Sequence, residues 1–373
     1  MAERERLLSA VRESVEAYCA AEHDFAFDPG NPAVRLHEPT FGAEEIMAAM
    51  ECLLTTRVTL GPKVKAFERS FADSLGLGHG VMNNSGSSAN LLAIAALAND
   101  ATSDGLRPGD EVVVPALSWS TTVWPLIQHG LVPVVVDVDP ETLNIDPAAL
   151  EGAIGPKTRA AMIVHVYGNP CHMDAIQSIC RARDLILIED CCEALGATYD
   201  GKPVGGFGRV GTFSFYFSHH ITTLEGGISV TNDGELADTM RILRAHGWVR
   251  EAEDPDRYTS AHPDIDPKFL FVNLGYNLRP TEIQGAMGSV QLGKLAGFVE
   301  HRRECAAAMT AMLARYGEVL RLQQETAKGK HSWFGLPITL AADAPFTLAE
   351  LRGHLERAGV ETRPLICGNI ARQ

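Results

Sequence analysis

Val112-Val113-Val114-Pro115 is a short, nearly continuous aliphatic run, and similar runs recur at Val134 to Val136, Ala160 to Val164 and Leu185 to Ile188. A strand covered on both faces reads as apolar throughout, which is the signature of a parallel sheet. Helical patterns fall between the runs, for example Thr122 to His129 and Met173 to Arg183. Such alternation predicts an α/β fold with a mostly parallel, doubly wound sheet. In these sheets ligands bind beyond the carboxyl ends of the strands.

Upstream of this region, helical patterns cover Glu44 to Leu54 and, after the turn Thr59-Leu60-Gly61-Pro62-Lys63, a stretch ending at Leu75. Met1 to His23 reads as an amphipathic helix with Leu7, Leu8, Val11, Val15 and Tyr18 on its apolar side. A polar, proline-containing segment, Asp24 to Thr40, follows. Downstream, a long helix is expected from Thr281 to about Ala314, a strand from Trp333 to Leu340, a helix from Leu348 to Ala358 and a strand from Val360 to Leu365. The expected organisation is an N-terminal helix and extended segment (1–38), a large α/β domain (39–285) and a smaller C-terminal α+β domain (286–373).

The chain has 373 residues, 46% hydrophobic and 21% charged, enough for a core in each domain. Its formal charge of −15 repels phosphate backbones and anionic lipid, so neither nucleic acid nor a membrane surface is an expected partner. No apolar run approaches the ~20 residues of a membrane span, and the charged N-terminus lacks the apolar core of a signal peptide. The cytoplasm is the expected location. Eight scattered cysteines read as reduced thiols, with Cys191 and Cys192 on opposite faces of the chain.

Three segments carry chemistry. Asn84-Ser85-Gly86-Ser87-Ser88-Ala89-Asn90 is a Gly/Ser-rich turn opening a helix, an ordinary N-cap or an anion cradle. Leu187-Ile188-Glu189-Asp190 is a strand ending in an acid, either a capping carboxylate or one able to hold a pyridine nitrogen protonated. Gly211 to Gly227 carries hydroxyl-bearing residues, a Gly-Gly turn and the pair His219-His220. A vicinal histidine pair is half a metal site, but further ligands at recognisable spacing are missing, so no metal is expected.

In this order the three segments resemble the sugar aminotransferases of fold type I, the DegT/DnrJ/StrS family, which use pyridoxal phosphate. Leu60-Gly61-Pro62 with Phe67-Glu68, His165-Val166-Tyr167-Gly168-Asn169-Pro170 with Met173-Asp174, and Gly275 to Glu282 extend the resemblance from Pro39 onward. It implies that Gly86, Ser87 and Ser214 hold the cofactor phosphate and that Asp190 pairs with the pyridine nitrogen. Trp119 falls where an aromatic ring stacks on the pyridine, and Glu193 where the family places Gln or His. Asn277 would reach the phosphate of a neighbouring subunit's cofactor, which implies a homodimer with shared sites.

One departure decides the implied reaction. The family's cofactor-bonding lysine lies five residues after the phosphate-binding serine, and here that position is His219. The eight lysines of the chain leave 203–267 empty, so no shift of alignment recovers one. Imidazole shuttles protons near neutrality but does not bond the cofactor's aldehyde. The cofactor would therefore be held non-covalently as pyridoxal or pyridoxamine phosphate, which favours dehydration over transamination. Phe217 to Thr223, Asp190 to Gly196, and Arg363-Pro364-Leu365 with Gly368-Asn369 resemble the branch of nucleotide-sugar 3-dehydratases. That branch acts on nucleotide-linked 4-keto-6-deoxyhexoses. The stretch His246 to His262 holds no cysteine, so the resemblance is to the iron-free type, which draws its amine from L-glutamate and releases ammonia. Arg363 would touch substrate, and His219 would move the proton. A sugar aminotransferase and a non-catalytic, cofactor-binding relative are the alternatives. The family usually continues beyond the position of Gln373, so the small domain is expected to be incomplete.

Overall fold

The computed structural model describes residues 2–373. Helix α1 (Ala2–Glu22) lies on α2 (Ala43–Leu54), and α3 (Pro62–Ser74) follows. The half-buried stripe of α1 is Leu8, Val11, Val15 and Cys19, whereas the expected Leu7 and Tyr18 are turned outward. The helix has one narrow neighbour, and a stripe one residue wide suffices to cover it.

The central sheet has seven strands: β1 (His79–Asn83), β2 (Glu111–Pro115), β3 (Val132–Val136), β4 (Thr158–Val164), β5 (Ile186–Asp190), β6 (Val210–Ser214) and β7 (Gly227–Thr231). Their spatial order is β1-β7-β6-β5-β4-β2-β3. Five of them, β3, β2, β4, β5 and β6, pair in parallel, and β7 runs antiparallel to both neighbours. Helices α4 (Gly86–Leu97), α5 (Ser120–Gln128), α6 (Pro147–Gly152) and α7 (Met173–Ala182) link successive strands, and α8 (Gly234–Arg244) follows the last strand and packs on α4. Their apolar faces meet the strands in separate cores: Leu92, Val112, Met162 and Leu243 belong to one, and Val113, Ile163, Met173 and Ile176 to another. The aliphatic strands are thus covered on both sides, as their texture requires.

Helix α9 (Glu282–Leu313) opens with a capping box, Thr281 accepting from the Gln284 N–H and the Gln284 side chain reaching back. It packs on α2 and α3. Helix α10 (Leu348–Arg357) closes the C-terminal region. The expected strand Trp333–Leu340 is reduced to Ile338–Leu340. The Trp333 N–H is taken by His331 Nδ1, and the Trp333 and Phe334 carbonyls by Arg302, so side chains claim the groups a ladder would need. The expected strand Val360–Leu365 is also absent. Val360 makes a lone bridge to Val34, and the chain then turns through Pro364 toward the sheet's carboxyl edge.

Candidate active site

At the carboxyl edge, the ends of β5 and β6, the start of α4 and the loop before α5 surround a cavity of about 410 Å³. Gly86, Ser87, Ser214 and Asp190 line it, as do Trp119, Glu193, His219 and Arg363. Sequence separations of more than a hundred residues are closed by strand order alone. Asn277 is not in this wall. It is exposed, pairs through its backbone with Ala245 and accepts from Arg279 Nε at 3.1 Å.

One end of the cavity is built for an anion. Ser85 caps α4 by accepting from the Ser88 N–H, leaving the first N–H groups of the helix free. The Ser87 hydroxyl is held by Thr121 at 3.1 Å. A β-carbon on Gly86 would collide with Cβ and Oγ of Ser214, so only glycine lets the helix start and the end of β6 converge. Free helix N–H groups, two serine hydroxyls and a helix dipole fit a phosphate.

Across the cavity, Asp190 is buried, and three donors fix its carboxylate: Asn90 Nδ2 at 2.8 Å, the Thr122 hydroxyl at 2.8 Å and the Cys192 N–H at 3.1 Å. The Thr212 hydroxyl donates to Asn90 Oδ1 at 2.6 Å, which forces the amide to present its N–H to Asp190. A carboxylate held by three donors in the same cavity as the free helix start fits a phosphorylated pyridinium ring, and the exposed indole of Trp119 supplies an aromatic wall. Glu193 accepts the Tyr167 N–H at 2.8 Å. Burial, with Asp190 nearby, pushes its carboxyl up to about 7.

His219 lies on the β6–β7 loop with its ring edge-on to Phe334 at 4.9 Å and to Tyr216 at 6.0 Å. Its Nδ1 is buried without a partner, which leaves Nε2 as the nitrogen open to the cavity. Burial, reinforced by Arg302, His37 and Arg363, pushes the imidazole down to about 3. The ring is therefore neutral at physiological pH and able to accept a proton. No lysine among the described residues lines the cavity. His220 faces elsewhere, fully buried, with Nε2 against the Ser332 carbonyl at 3.0 Å. The two imidazoles thus do not form a metal half-site.

A second buried group, His165, Glu189 and Cys191, brings ligand-type atoms within 4.8 Å of one another. Its lone pairs are already used. His165 Nδ1 accepts the Cys171 N–H, so Nε2 donates to Glu189, whose oxygens also accept the N–H groups of Gly205, Phe207 and Gly208. This network knits β5 to the following loop. Cys191 belongs to it while Cys192 lines the cavity, on the opposite side as the sequence implied. All eight cysteines are free thiols, four of them buried and Cys305 exposed.

Sequence reasoning missed Asn90, Thr121, Thr122, Phe334 and Glu225, which also line the cavity or support its wall. Asn90 lay inside the quoted Gly/Ser segment, but nothing local tied it to an acid a hundred positions away.

Residues 39–372 match the profile of the DegT/DnrJ/EryC1/StrS aminotransferase family. The chain belongs to this family. It is 43% identical, over 90% of its length and 85% of the relative's, to a GDP-4-keto-6-deoxy-D-mannose 3-dehydratase of Yersinia pseudotuberculosis. A protein of the same name from Escherichia coli is 42% identical over 90% of this chain and 86% of its own. A solved structure of the E. coli GDP-4-keto-6-deoxy-D-mannose-3-dehydratase with bound hydrated pyridoxal phosphate superposes with a TM-score of 0.85 at 40% identity, covering 91% of this chain and 88% of that one. Another structure of a GDP-4-keto-6-deoxymannose-3-dehydratase, with a trapped geminal diamine of the cofactor and glutamate, gives 0.84 at 40% identity, covering 91% and 87%. The DegT/DnrJ/EryC1/StrS family thus accounts for the mostly parallel sheet and the position of the cavity at its carboxyl edge.

Proposed function

We infer that the protein is a pyridoxal phosphate-dependent dehydratase that removes the C3 hydroxyl of a nucleotide-linked 4-keto-6-deoxyhexose, with L-glutamate as amine source. The products are a 4-keto-3,6-dideoxy sugar and ammonia. The observation that carries the reading is a family site furnished for the cofactor but walled by a neutral histidine, with no lysine lining it. GDP-4-keto-6-deoxymannose is the first substrate to test, because relatives above 40% identity bear that name.

When bound, the cofactor supplies an amine for the sugar ketone and an electron sink for the pair released when a proton leaves. Gly86, Ser87 and Ser214 would hold its phosphate, Asp190 would pair with its ring nitrogen, and Trp119 would supply an aromatic wall. His219 Nε2 takes a proton and returns it to the departing C3 hydroxyl. It makes no bond to the cofactor, so pyridoxal and pyridoxamine phosphate are both held non-covalently. Glu193, poised near neutrality, would lie near the ring, and Arg363 would offer a cation to substrate at the cavity wall. Iron takes no part, since 246–262 carries no cysteine.

In this reading residues 39–285 carry the cofactor and 286–373 cover it. A homodimer is supported by the exposure of Asn277 beside Leu274, which is 98% exposed. Asn277 would reach the partner's phosphate. No helix among the described residues is long and apolar enough to cross a membrane, and the acidic surface disfavours nucleic acid. We place the protein in the cytoplasm with its nucleotide-linked substrate.

The test is product analysis: protein, pyridoxal phosphate, L-glutamate and a panel of nucleotide-linked 4-keto-6-deoxyhexoses in heavy water, followed by NMR and an ammonia assay. Loss of the C3 hydroxyl, deuterium at C3 and free ammonia are expected. An amino sugar without ammonia would make the protein an aminotransferase, and no turnover of any sugar would leave a cofactor-binding relative.

A further inference from the structure

Arg302, on α9, is half-buried, and among the described residues no carboxylate pairs with it. Its Nη1 instead donates to the carbonyls of Trp333 and Phe334, both at 3.1 Å. Trp333 has a positive φ of 51°, so this turn needs holding. Phe334 then presses edge-on against His219 at 4.9 Å and lies 5.9 Å from His220. The guanidinium thus reaches the reacting imidazole twice, once through the turn it pins and once through its charge.

We propose that Arg302 is a positioning residue for His219, a fixed cation that anchors the Phe334 turn against the imidazole and sets a positive charge beside it. The proposal rests on the reading of His219 as the proton-moving group. Other titratable groups lie near that ring: Arg363 from the C-terminal segment, His37 from the segment before α2, and His220 from its own loop, the two histidines pushed toward their neutral forms by burial. The carboxylates of Asp190, Glu193 and Glu225 share the cavity. Burial is the largest influence on His219, and Arg302 comes next. Arginine suits the task because it stays charged when partly desolvated and its planar guanidinium fixes the directions of the two Nη1 N–H bonds.

The test uses the pyridoxal phosphate-loaded full chain with ¹³Cε1-labelled histidine, His219→Asn assigning the resonance. In Arg302→Gln the His219 midpoint should rise by roughly one pH unit or more, and the acid limb of kcat/KM should move with it. Arg302→Lys should keep the midpoint but lower kcat roughly tenfold, because a freely rotating ammonium on a flexible stem does not hold both carbonyls in the directions that the rigid Nη1 group fixes. Phe334→Leu, which leaves Arg302 in place, should lower kcat at an unchanged midpoint and serves if Arg302→Gln fails to fold. An unmoved midpoint in Arg302→Gln, or unchanged kcat in Arg302→Lys or Phe334→Leu, overturns the proposal. A wild-type protein that dehydrates no sugar sinks the functional reading separately, and the midpoints still decide the role of Arg302.

Discussion

Burial and the surrounding cations push His219 down to about 3, so at neutral pH it offers a lone pair to the cavity without first losing a proton. A lysine at 219 would reinstate the amine that the family uses to bond its cofactor. His219→Lys should therefore lose dehydration by at least about 10² and gain a borohydride-reducible link to pyridoxal phosphate, read by mass spectrometry. Retained dehydration would remove His219 from the reaction. Glu193 shifts the opposite way, up to about 7. Between its ordinary value and 7 the folded protein keeps a proton that the unfolded chain has released. This contribution to stability is complete at low pH and lost as pH rises through 7. Cofactor-free Glu193→Gln should thus gain stability over wild type more at pH 8 than at pH 5, on the order of 2–4 °C in Tm. An equal gain at both pH values would mean that Glu193 titrates normally.

At the scale of elements, the site depends on joints far from the cofactor. The buried carboxylate of Glu282, at the start of α9, accepts the N–H groups of Lys63 and Val64 at 3.0 Å each. One helix thereby caps another, and Glu282→Ala leaves two donors at the start of α3 unsatisfied. Urea unfolding should show a loss of about 2–4 kcal/mol, and a loss below about 0.5 kcal/mol would mean that water replaces the carboxylate. The segment before α2 acts similarly on the C-terminal strand of chain. The Val34 N–H donates to the Gly359 carbonyl at 2.8 Å, the Glu361 N–H to Val34 at 2.9 Å, and the Leu36 N–H to Glu361 Oε2 at 3.1 Å. His37 then stacks edge-on to Phe217 at 4.4 Å, two residues from His219. Val34→Pro removes one of those donors. The expected outcome is a KM for the sugar raised several-fold at nearly unchanged Tm, because Arg363 lies just beyond the pairing.

For the whole molecule, the proposed partner interface is open to a direct test. Leu274 projects into solvent at 98% exposure, near the exposed Asn277, Phe269 and Phe271. A single chain gains nothing from such a cluster, whereas a second copy would bury it. Leu274→Glu should shift the protein toward monomer in analytical ultracentrifugation and weaken pyridoxal phosphate binding about tenfold, the second effect following from loss of the partner's Asn277. A dimer with unchanged affinity would place the interface elsewhere.

The amino-acid sequence by itself determined the parallel sheet, because Val- and Ile-rich strands need cover on both faces. The Gly/Ser turn that opens α4 was legible as well, and the resemblance to the family marked position 219 as a histidine where that family carries lysine. Helix α9 was legible to within a residue at each end because its composition is a local signal. Tertiary structure alone decided what holds these groups. Asn90 meets Asp190, and Thr212 orients Asn90, only because β5 and β6 pair beside α4. The state of His219 is set first by its burial and then by Arg302, His37 and Arg363, which arrive from three distant segments. The strands expected at Trp333 and Val360 failed for the same reason: their backbone groups are claimed by side chains and a bridge from remote parts of the chain. Periodicity registers which face of an element is buried, but not which far residue a buried polar group will meet.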